Sequence, residues 1–395
     1  MLTTLQEGRV TLRAYTARVP SEAMPVFYNP RMRINRDLSV LTIRFLLDEW
    51  YERGVRHLRL AFPLAASGVR VKRILIENRA YWERILERNV YAEVILTDIN
   101  PEAIRLAREN LDDPLIRALE EKGLRIRFET RDANESLLAN REYDYISIDP
   151  YGSPNPFLAA AFLTAKHRAI IEITQTDTAP LTGSAPRAAL RKYHAHIPFQ
   201  PRYKHFLAIM LLAAHLERVA SMYEHAARIL LSFHEEHYTK IILRVWKNPA
   251  EASQRIAAQR KASICPSCHT LTMTRHETCS VCEARVEEVG LLSTQIGDSA
   301  FITRLLAMAD AYLLSPHARR ELERVAQLPR RIESVIDTHQ LSKRVKKGTT
   351  ISRSALQHCL EENAIRTFIT PFHPTSLVLI GNRVGEHVKA CSRTS

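Results

Sequence analysis

Strand-like and helix-like segments alternate along the first half of this chain, and this alternation constrains the fold more than any other feature. The apolar runs His57–Phe62 and Ala92–Thr97 are predicted strands, and Ala80–Asn89 between them has a helical pattern. Pro101–Leu111 is a second predicted helix, which Asn100 caps. Three further strands are predicted at Leu124–Glu129, Tyr143–Ile148 and Ala169–Thr174. This βαβ succession predicts a doubly wound α/β fold built on a parallel sheet.

Two more strand-like runs follow a long amphipathic stretch. They are Arg228–Phe233 and Tyr238–Trp246, and a short turn joins them. A closing antiparallel hairpin of this kind favours a Rossmann-like class I methyltransferase sheet over a dehydrogenase. The polar segment Lys247–Lys261 is the best candidate boundary in a chain of 395 residues. We therefore expect one domain over residues 1–250, with an N-terminal extension on the substrate side, and a smaller α+β domain over residues 251–395.

Polar residues stand where the predicted parallel strands end, which is where open α/β sheets bind their ligands. The first strand is followed by a turn of small residues that contains Ser67 and Gly68, with Arg70 just beyond, and a cofactor could approach its backbone closely. Asp98 ends the second strand, where an acid can accept hydrogen bonds from ribose hydroxyls. Asp132 follows the third strand and could contact an adenine amino group. Each of these signals is weak alone, because turn formation and helix capping explain the same residues.

The fourth strand ends in Asp149-Pro150-Tyr151-Gly152, and this string predicts an active site for an exocyclic amine. The amino group of a nucleobase is a poor nucleophile, because its lone pair is delocalised into the ring. Asp149 and the carbonyl of Pro150 could accept its protons, and Tyr151 would stand where a flat base stacks. A plain turn is the alternative interpretation.

Five longer strings carry a resemblance to a known family and extend through much of the chain. They are Met24–Met32, Asn35–Asp37, Ala66–Arg70, Asp149–Pro154 and Thr176–Leu181. With the order of the small-residue turn and the strand-end aspartates, they resemble the S-adenosylmethionine-dependent tRNA (guanine-26-N2)-dimethyltransferase family. The resemblance implies transfer of one or two methyl groups from S-adenosylmethionine to the exocyclic amine of a guanine at the junction between two tRNA stems.

The resemblance also implies roles for individual residues. Phe27 and Tyr151 look like two aromatic faces that sandwich a flipped guanine, while Asp149 accepts the amine protons. The residues that match the cofactor positions of the family are Arg36, Asp98 and Asp132. Methyl transfer from a sulfonium is an in-line displacement, so the enzyme mainly orients the amine and holds its protons.

Two positions depart from the family pattern. Phe62 stands where the family usually has an aspartate, and Ser147 replaces the first acid of its Asp-x-Asp-Pro string. The sequence still favours an active enzyme, because Asp149 is present. Two alternatives remain: a methyltransferase acting on another nucleobase amine, such as adenine N6, and an inactive zinc-containing RNA-binding protein.

Two Cys-x-x-Cys pairs, separated by ten residues, predict a metal site. The four cysteines are Cys265, Cys268, Cys279 and Cys282. Two such knuckles can surround one tetrahedral zinc ion, and a site with four protein ligands is closed and structural. His269 or His276 could substitute for one thiol, and a redox pair or free thiols are the alternatives. No role is assigned to Cys359 and Cys391.

The charge of the chain predicts an anionic partner. Its 56 Lys and Arg residues exceed its 43 acids, for a formal charge of +13 and a pI near 9.6, which favours nucleic acid, and here tRNA. Residues 315–353 contain ten basic residues and four acids. This excess predicts that the segment binds the phosphates of the tRNA backbone, and a solvated basic face is the alternative. The basic positions singled out are Arg319, Arg320, Arg330, Arg331, Lys343, Arg344, Lys346 and Lys347.

The sequence contains no segment that resembles a secretory signal or a membrane-spanning helix. The first eight residues lack the charged and apolar regions of a secretory signal, and the longest apolar run, Phe206–Ala214, is far shorter than the roughly 20 residues that span a bilayer. We expect a cytoplasmic protein that binds tRNA, has no contact with membranes, and has no predicted protein partner.

Overall fold

The computed structural model describes residues 1–21, 23–312, 314–329, 332–345 and 351–394. At the N-terminus, the hairpin of β1 (Leu2–Glu7) and β2 (Val10–Tyr15) precedes a 3₁₀ turn and the long helix α1 (Arg33–Glu52). Within the described parts of the chain, no helix is both long enough and apolar enough to cross a membrane.

A seven-stranded mixed sheet is the larger of the two main sheets. Its strands are β3 (His57–Phe62), β4 (Tyr91–Asp98), β5 (Leu124–Thr130), β6 (Tyr143–Ile148), β7 (Ala165–Gln175), β8 (His225–Glu235) and β9 (Tyr238–Lys247). The spatial order is β5-β4-β3-β6-β7-β9-β8; the first five strands run parallel, whereas β9 is antiparallel to both of its neighbours. The predicted α/β fold and closing hairpin are therefore confirmed. The strand order reverses between β3 and β6, and this is the position where open α/β sheets bind ligands.

Helices cover both faces of this sheet. They are α2 (Val69–Glu77), α3 (Arg79–Leu86), α4 (Pro101–Leu111), α5 (Pro114–Glu121), α6 (Ala133–Ala139), α7 (Asn155–Thr164), α8 (Pro186–Tyr193) and α9 (Lys204–Ser221). Successive residues of one strand point to opposite faces. Leu60 and Phe62 accordingly pack among helices α1 to α5, while Ala61 packs in the core that α7 and α9 cover. The predicted cap of α4 is present, since the Asn100 side chain accepts a hydrogen bond from the Glu102 amide.

The remaining elements are a second, antiparallel sheet and further helices, some of which pack against the first sheet. They are α10 (Pro249–Ala258), β10 (Arg260–Ile264), β11 (Leu271–Thr272), β12 (Glu287–Leu292), α11 (Ser299–Met308), α12 (Pro316–Gln327), β13 (Ser334–Asp337), α13 (Thr338–Val345), α14 (Arg353–Glu362), β14 (Arg366–Ile369), β15 (Ser376–Ile380) and α15 (Val384–Thr394). The strand order is β12-β10-β11-β13-β15-β14. The polar segment proposed as a boundary folds into α10, so a regular helix connects the two sheets.

The two sheets share one apolar core rather than two isolated ones. Val289, Val335 and Val378 of the second sheet belong to the same buried cluster as the α7 and α9 side of the first sheet. Backbone hydrogen bonds reinforce this contact: the Ser293 amide donates to the Met210 carbonyl at 3.1 Å. The structure also joins Cys359 on α14 to Cys391 on α15 in a disulfide, which was not predicted because no motif links two cysteines 32 residues apart.

Candidate active site

A cleft of about 460 Å³ lies where β3 and β6 end, at the reversal of strand order. Seven of the predicted site residues line it: Phe27, Arg36, Ser67, Arg70, Asp149, Pro150 and Tyr151. Gly68, Asp98 and Asp132 are not among the lining residues. The structure therefore brings together the residues predicted to act on the amine and part of the predicted cofactor set.

The carboxylate of Asp149, the residue that directly follows β6, is held by Arg70 from α2. The Arg70 guanidinium forms an ion pair with Oδ2 of Asp149. Its other nitrogen donates to Asn35 Oδ1 at 2.8 Å and to the Ser39 hydroxyl. Within the described ranges, Arg70 is the one side-chain partner of Asp149, which leaves Oδ1 available to a ligand in the cleft.

A fully buried ion pair lies behind Arg70. Lys240 Nζ is 2.5 Å from Glu172 Oε2, and it also donates to the Ser39 hydroxyl at 2.8 Å and to Asn35 Oδ1 at 3.2 Å. Burial lowers the pKa of Lys240 to about 8, and the attraction of Glu172 opposes that shift. Lys240 thus fixes the same two acceptors that hold Arg70, and through Arg70 the position of Asp149.

Separate substitutions of Lys240 and Glu172 are expected to be strongly destabilising and non-additive. Lys240→Met leaves a buried carboxylate without its charge partner, which costs about 3 kcal/mol of unfolding free energy, and Glu172→Gln leaves the ammonium equally isolated. The double variant removes both charges and should recover most of the loss. Urea unfolding of the four proteins gives the coupling energy.

The exposed pair Lys122–Glu87, at 3.4 Å, is the matched control for this cycle. A solvent-exposed pair contributes less than about 1 kcal/mol, so its cycle should show little coupling. Equal coupling in the buried and the exposed pair would contradict the proposed importance of the Lys240–Glu172 pair.

A second buried charge cluster holds Arg36. Its guanidinium donates to both carboxylate oxygens of Glu7, at 2.7 and 2.5 Å, and Tyr28 donates to the same carboxylate at 2.8 Å. Burial alone would raise the pKa of Glu7, but Arg36 and Arg73 lower it to about 2. The ionised carboxylate of Glu7, on the N-terminal hairpin, therefore holds Arg36 in position at the wall of the cleft.

The small-residue turn after β3 has the properties predicted for a cofactor loop. Gly68 has a φ of +72°, and a Cβ there would lie 2.8 Å from Leu111 and 3.1 Å from the Ala107 Cβ of α4, so only glycine fits. The Ser67 hydroxyl is buried in the wall of the cleft and has no hydrogen-bond partner among the described residues. A buried hydroxyl without a partner is suited to a polar group of a bound ligand.

Asp98 and Asp132 lie outside the cleft wall and make local hydrogen bonds. Asp98 accepts from the backbone amides of Ala66, at 2.9 Å, and Asn100, at 3.0 Å, so it abuts the small-residue turn. Asp132 caps α6 by accepting from the Asn134 amide at 2.8 Å. The same Asp132 oxygen, Oδ1, also accepts from the Glu135 amide at 3.2 Å. The cofactor roles of Asp98 and Asp132 stay predictions.

The rings of Phe27 and Tyr151 meet edge to face in this structure. Their centroids are 5.4 Å apart and their planes are inclined by 81°. A base stacked between two parallel rings needs a separation of about 7 Å, since each stacked contact takes about 3.5 Å. Tyr151 is 57% exposed, and the Gly152 amide next to it donates to the Thr176 hydroxyl at 2.6 Å.

The four cysteines predicted to bind metal come together beside the second sheet. Their sulfur atoms all lie within 4.8 Å of one another, and three of the pairs are 3.5 to 3.6 Å apart. Tetrahedral zinc with bonds of about 2.3 Å separates its sulfur ligands by about 3.8 Å, so this arrangement fits the ion. The four thiols complete a ligand set without His269 or His276.

Four of the eight basic positions singled out in residues 315–353 can be placed. Arg319 and Arg320 lie on α12, and Lys343 and Arg344 lie on α13. Arg319 is partly engaged, since it forms an ion pair with Asp310. Arg330, Arg331, Lys346 and Lys347 lie outside the described residues.

Comparisons with known proteins agree with one another. The family model described as N2,N2-dimethylguanosine tRNA methyltransferase matches residues 8–377. The tRNA (guanine(26)-N(2)/guanine(27)-N(2))-dimethyltransferase of Aquifex aeolicus is 33% identical over 225 residues, 56% of this chain and 52% of that protein, so the match spans about half of its length. The tRNA (guanine(26)-N(2))-dimethyltransferase of Methanothermobacter thermautotrophicus is 29% identical over 316 residues, 77% of this chain and 76% of that protein.

Among solved structures, the complex of Trm1 from Pyrococcus horikoshii with S-adenosyl-L-methionine shares the fold. The TM-score is 0.75 at 24% identity, and the match covers 97% of this chain and 98% of that one. The α/β architecture with its mixed central sheet is therefore common to both chains.

Proposed function

This chain belongs to the N2,N2-dimethylguanosine tRNA methyltransferase family, and we propose that it transfers one or two methyl groups from S-adenosylmethionine to the N2 amine of a guanine in tRNA, at a position of the guanine-26 type. The observation that carries the proposal is the placement of the Asp149 carboxylate beside Pro150 and the Phe27–Tyr151 pair, in a cleft at the carboxyl ends of β3 and β6. The names of the Aquifex and Methanothermobacter relatives support the same reaction.

In the proposed reaction, Asp149 Oδ1 and the Pro150 carbonyl accept the two amine hydrogens of the guanine. These contacts localise the nitrogen lone pair and aim it for in-line attack. S-adenosylmethionine supplies the electrophilic methyl group. As the nitrogen becomes positively charged, Asp149 takes its proton and passes it to solvent, and Arg70 keeps the carboxylate in place throughout.

The cofactor is proposed to bind along the turn after β3. Ser67 offers its unpaired hydroxyl, Gly68 lets the backbone approach, and Arg36 and Arg70 line the adjoining wall. Asp98, which bonds to this turn, and Asp132, at the start of α6, are proposed to hold the ribose and the adenine. Phe62 also lines the cleft, so an apolar contact replaces the acid that is usual in the family.

The target guanine is proposed to leave its stem and stack between Phe27 and Tyr151. Because the two rings stand edge to face, entry of the base requires Tyr151 to swing outward before a sandwich can form. The edge-to-face contact would then close the empty pocket between turnovers.

The four-cysteine cluster is proposed to bind structural zinc, and the chain to divide into a catalytic domain over residues 1–250 and a zinc-containing domain over residues 251–395. The basic segment 315–353 of the second domain would contact the tRNA backbone. Since tRNA is its substrate, we place the reaction in the cytoplasm.

The proposal is tested by incubating the purified protein with an unmodified tRNA transcript and labelled S-adenosylmethionine, followed by nucleoside analysis. Label is expected in N2-methylguanosine or N2,N2-dimethylguanosine, and it should vanish when the guanine at position 26 of the transcript is replaced by adenine. Label in N6-methyladenosine would show a different target amine, and no label in any tRNA would contradict the proposed reaction.

A further inference from the structure

The stretch of chain between Asp177 and Glu217 contains no acidic residue. Residues 178–216 hold five Lys and Arg residues and four histidines, in a protein with 43 acids over 395 residues. This stretch begins within the Thr176–Leu181 string at the cleft and includes α8. The local excess of positive charge is thus next to the candidate active site and is separate from the basic segment at 315–353.

Helix α8 directs part of this charge outward on one face. Arg187, Leu190 and Arg191 follow the i, i+3, i+4 pattern of a single helix face, His194 follows as the C-terminal cap residue, and all four are exposed. Neither Arg187 nor Arg191 has an ion-pair partner among the residues that the structure describes, whereas Arg105 pairs with two glutamates on α4. We refer to these four residues as the α8 face.

The α8 face is rigidly connected to the loop that carries the predicted catalytic residues. Lys192 Nζ is 2.6 Å from Asp177 Oδ2, and the Lys192 carbonyl accepts from the Asn155 side chain at 2.9 Å. The Tyr193 hydroxyl lies 3.0 Å from Ser153 Oγ. Because Asp177 lines the cleft, an RNA strand held on α8 would keep a fixed position relative to Asp149.

A shallow groove of about 420 Å³ runs along α8, and it is lined by Ala185, Pro186, Arg187, Ala188 and Arg191. Its lining combines small residues with two arginines. A guanidinium without a carboxylate partner binds phosphate without first breaking an ion pair, and its planar fork suits two phosphate oxygens. The exposed Leu190 adds an apolar surface beside the arginines.

We propose that the α8 face docks the sugar-phosphate backbone of the RNA substrate next to the target nucleotide. This inference rests on the proposed function, since it names the surface that presents tRNA to the same cleft. The contacts are to phosphates, so they position the strand and carry no base specificity.

The test is the salt dependence of tRNA binding by the variant Arg187→Gln/Arg191→Gln. Loss of two phosphate contacts is expected to weaken binding about tenfold or more near 0.1 M salt and to reduce the slope of log K against log salt by roughly 1.4 to 1.8. Filter binding of a tRNA transcript over a range of KCl concentrations measures both quantities, and the KM for tRNA should rise in parallel.

Two further variants make the result interpretable. Arg117→Gln/Arg125→Gln removes the same charge from α5 and β5, at the other edge of the sheet, and should keep the wild-type slope. Arg187→Lys/Arg191→Lys retains the charge and should keep the slope as well, while the loss of the planar fork weakens binding modestly.

A wild-type slope and affinity in the Gln variant would overturn the proposed docking surface. So would an equal loss of affinity in the control at the opposite edge, because binding would then depend on net charge alone. A wild-type protein that binds tRNA through α8 but labels no guanosine would disprove the proposed reaction and leave the docking surface standing.

Discussion

Replacement of Asp149 by asparagine is expected to lower kcat by about 10³-fold, while the KM for tRNA changes by no more than a few fold. The asparagine side chain has the same shape, but it presents a hydrogen-bond donor to the amine where Asp149 Oδ1 presents an acceptor. The new amide would turn its oxygen towards Arg70, where Asp149 Oδ2 now forms an ion pair, and would direct its NH₂ group at the amine. Two donors then face each other, and the proton of the methylated amine has no acceptor.

Single-turnover methylation at saturating tRNA and cofactor measures this effect without interference from product release. Asp144→Asn is the matched control, because Asp144 lies on β6, the strand that Asp149 directly follows, but bonds to Lys166 and to the Arg59 amide and does not line the cleft. The control should keep its rate within a few fold. An Asp149→Asn variant with a rate like that of the control would show that another group accepts the proton.

The strands of the central sheet could be predicted from the sequence because each one is specified by its own residues and their immediate neighbours. Each strand is a short apolar run bounded by turn residues, and the predicted segments Tyr143–Ile148 and His57–Phe62 match the observed strands residue for residue. Helix α2 was not predicted. Four of its nine residues are β-branched and do not favour a helix strongly, and α2 depends instead on packing against α4 through Gly68.

The charged residues behind Asp149 were missed, although the sequence carries a signal for them. Glu172 interrupts the apolar segment Ala169–Ile173 of β7, and Lys240 directly precedes the apolar segment Ile241–Leu243 of β9. A charge beside such buried residues needs a partner. Their pairing depends on β7 and β9 being neighbours, which the sequence order does not reveal. Strand-interior charges are therefore useful markers of a site once a sheet topology is available.

The geometry of the aromatic pair was beyond sequence reasoning for a different reason. Both Phe27 and Tyr151 line the cleft as predicted, but their relative orientation is set by side-chain rotamers and by the absence or presence of a base. An edge-to-face contact is the favourable arrangement of two neighbouring rings. The sandwich expected from the family resemblance is thus a property of a substrate complex rather than of the isolated chain.

Removal of zinc, or the substitution Cys268→Ser, is expected to unfold the cysteine module and the helices that pack on it. Three of the Sγ pairs lie only 3.5 to 3.6 Å apart, so the sulfurs need a cation at their centre when they are ionised. Metal binding stabilises structural zinc sites by about 10 kcal/mol or more. The wild-type protein should contain about one zinc ion per chain by elemental analysis, and the Cys268→Ser variant little. Cys359→Ser breaks the disulfide between α14 and α15 but leaves all four thiols in place, so this variant should keep the metal.

Removal of zinc should unfold only the region around the four cysteines and leave the rest of the chain folded. Cys265, Cys268 and Cys279 share a buried cluster with Leu356 of α14 and Val388 of α15, whereas the cleft belongs to other clusters. Chelation should therefore speed hydrogen exchange in α14 and α15 and leave β3 to β6 protected. Uniform exchange throughout the chain would show that the metal supports the whole fold, and unchanged exchange in α14 and α15 would contradict a structural ion in the cluster.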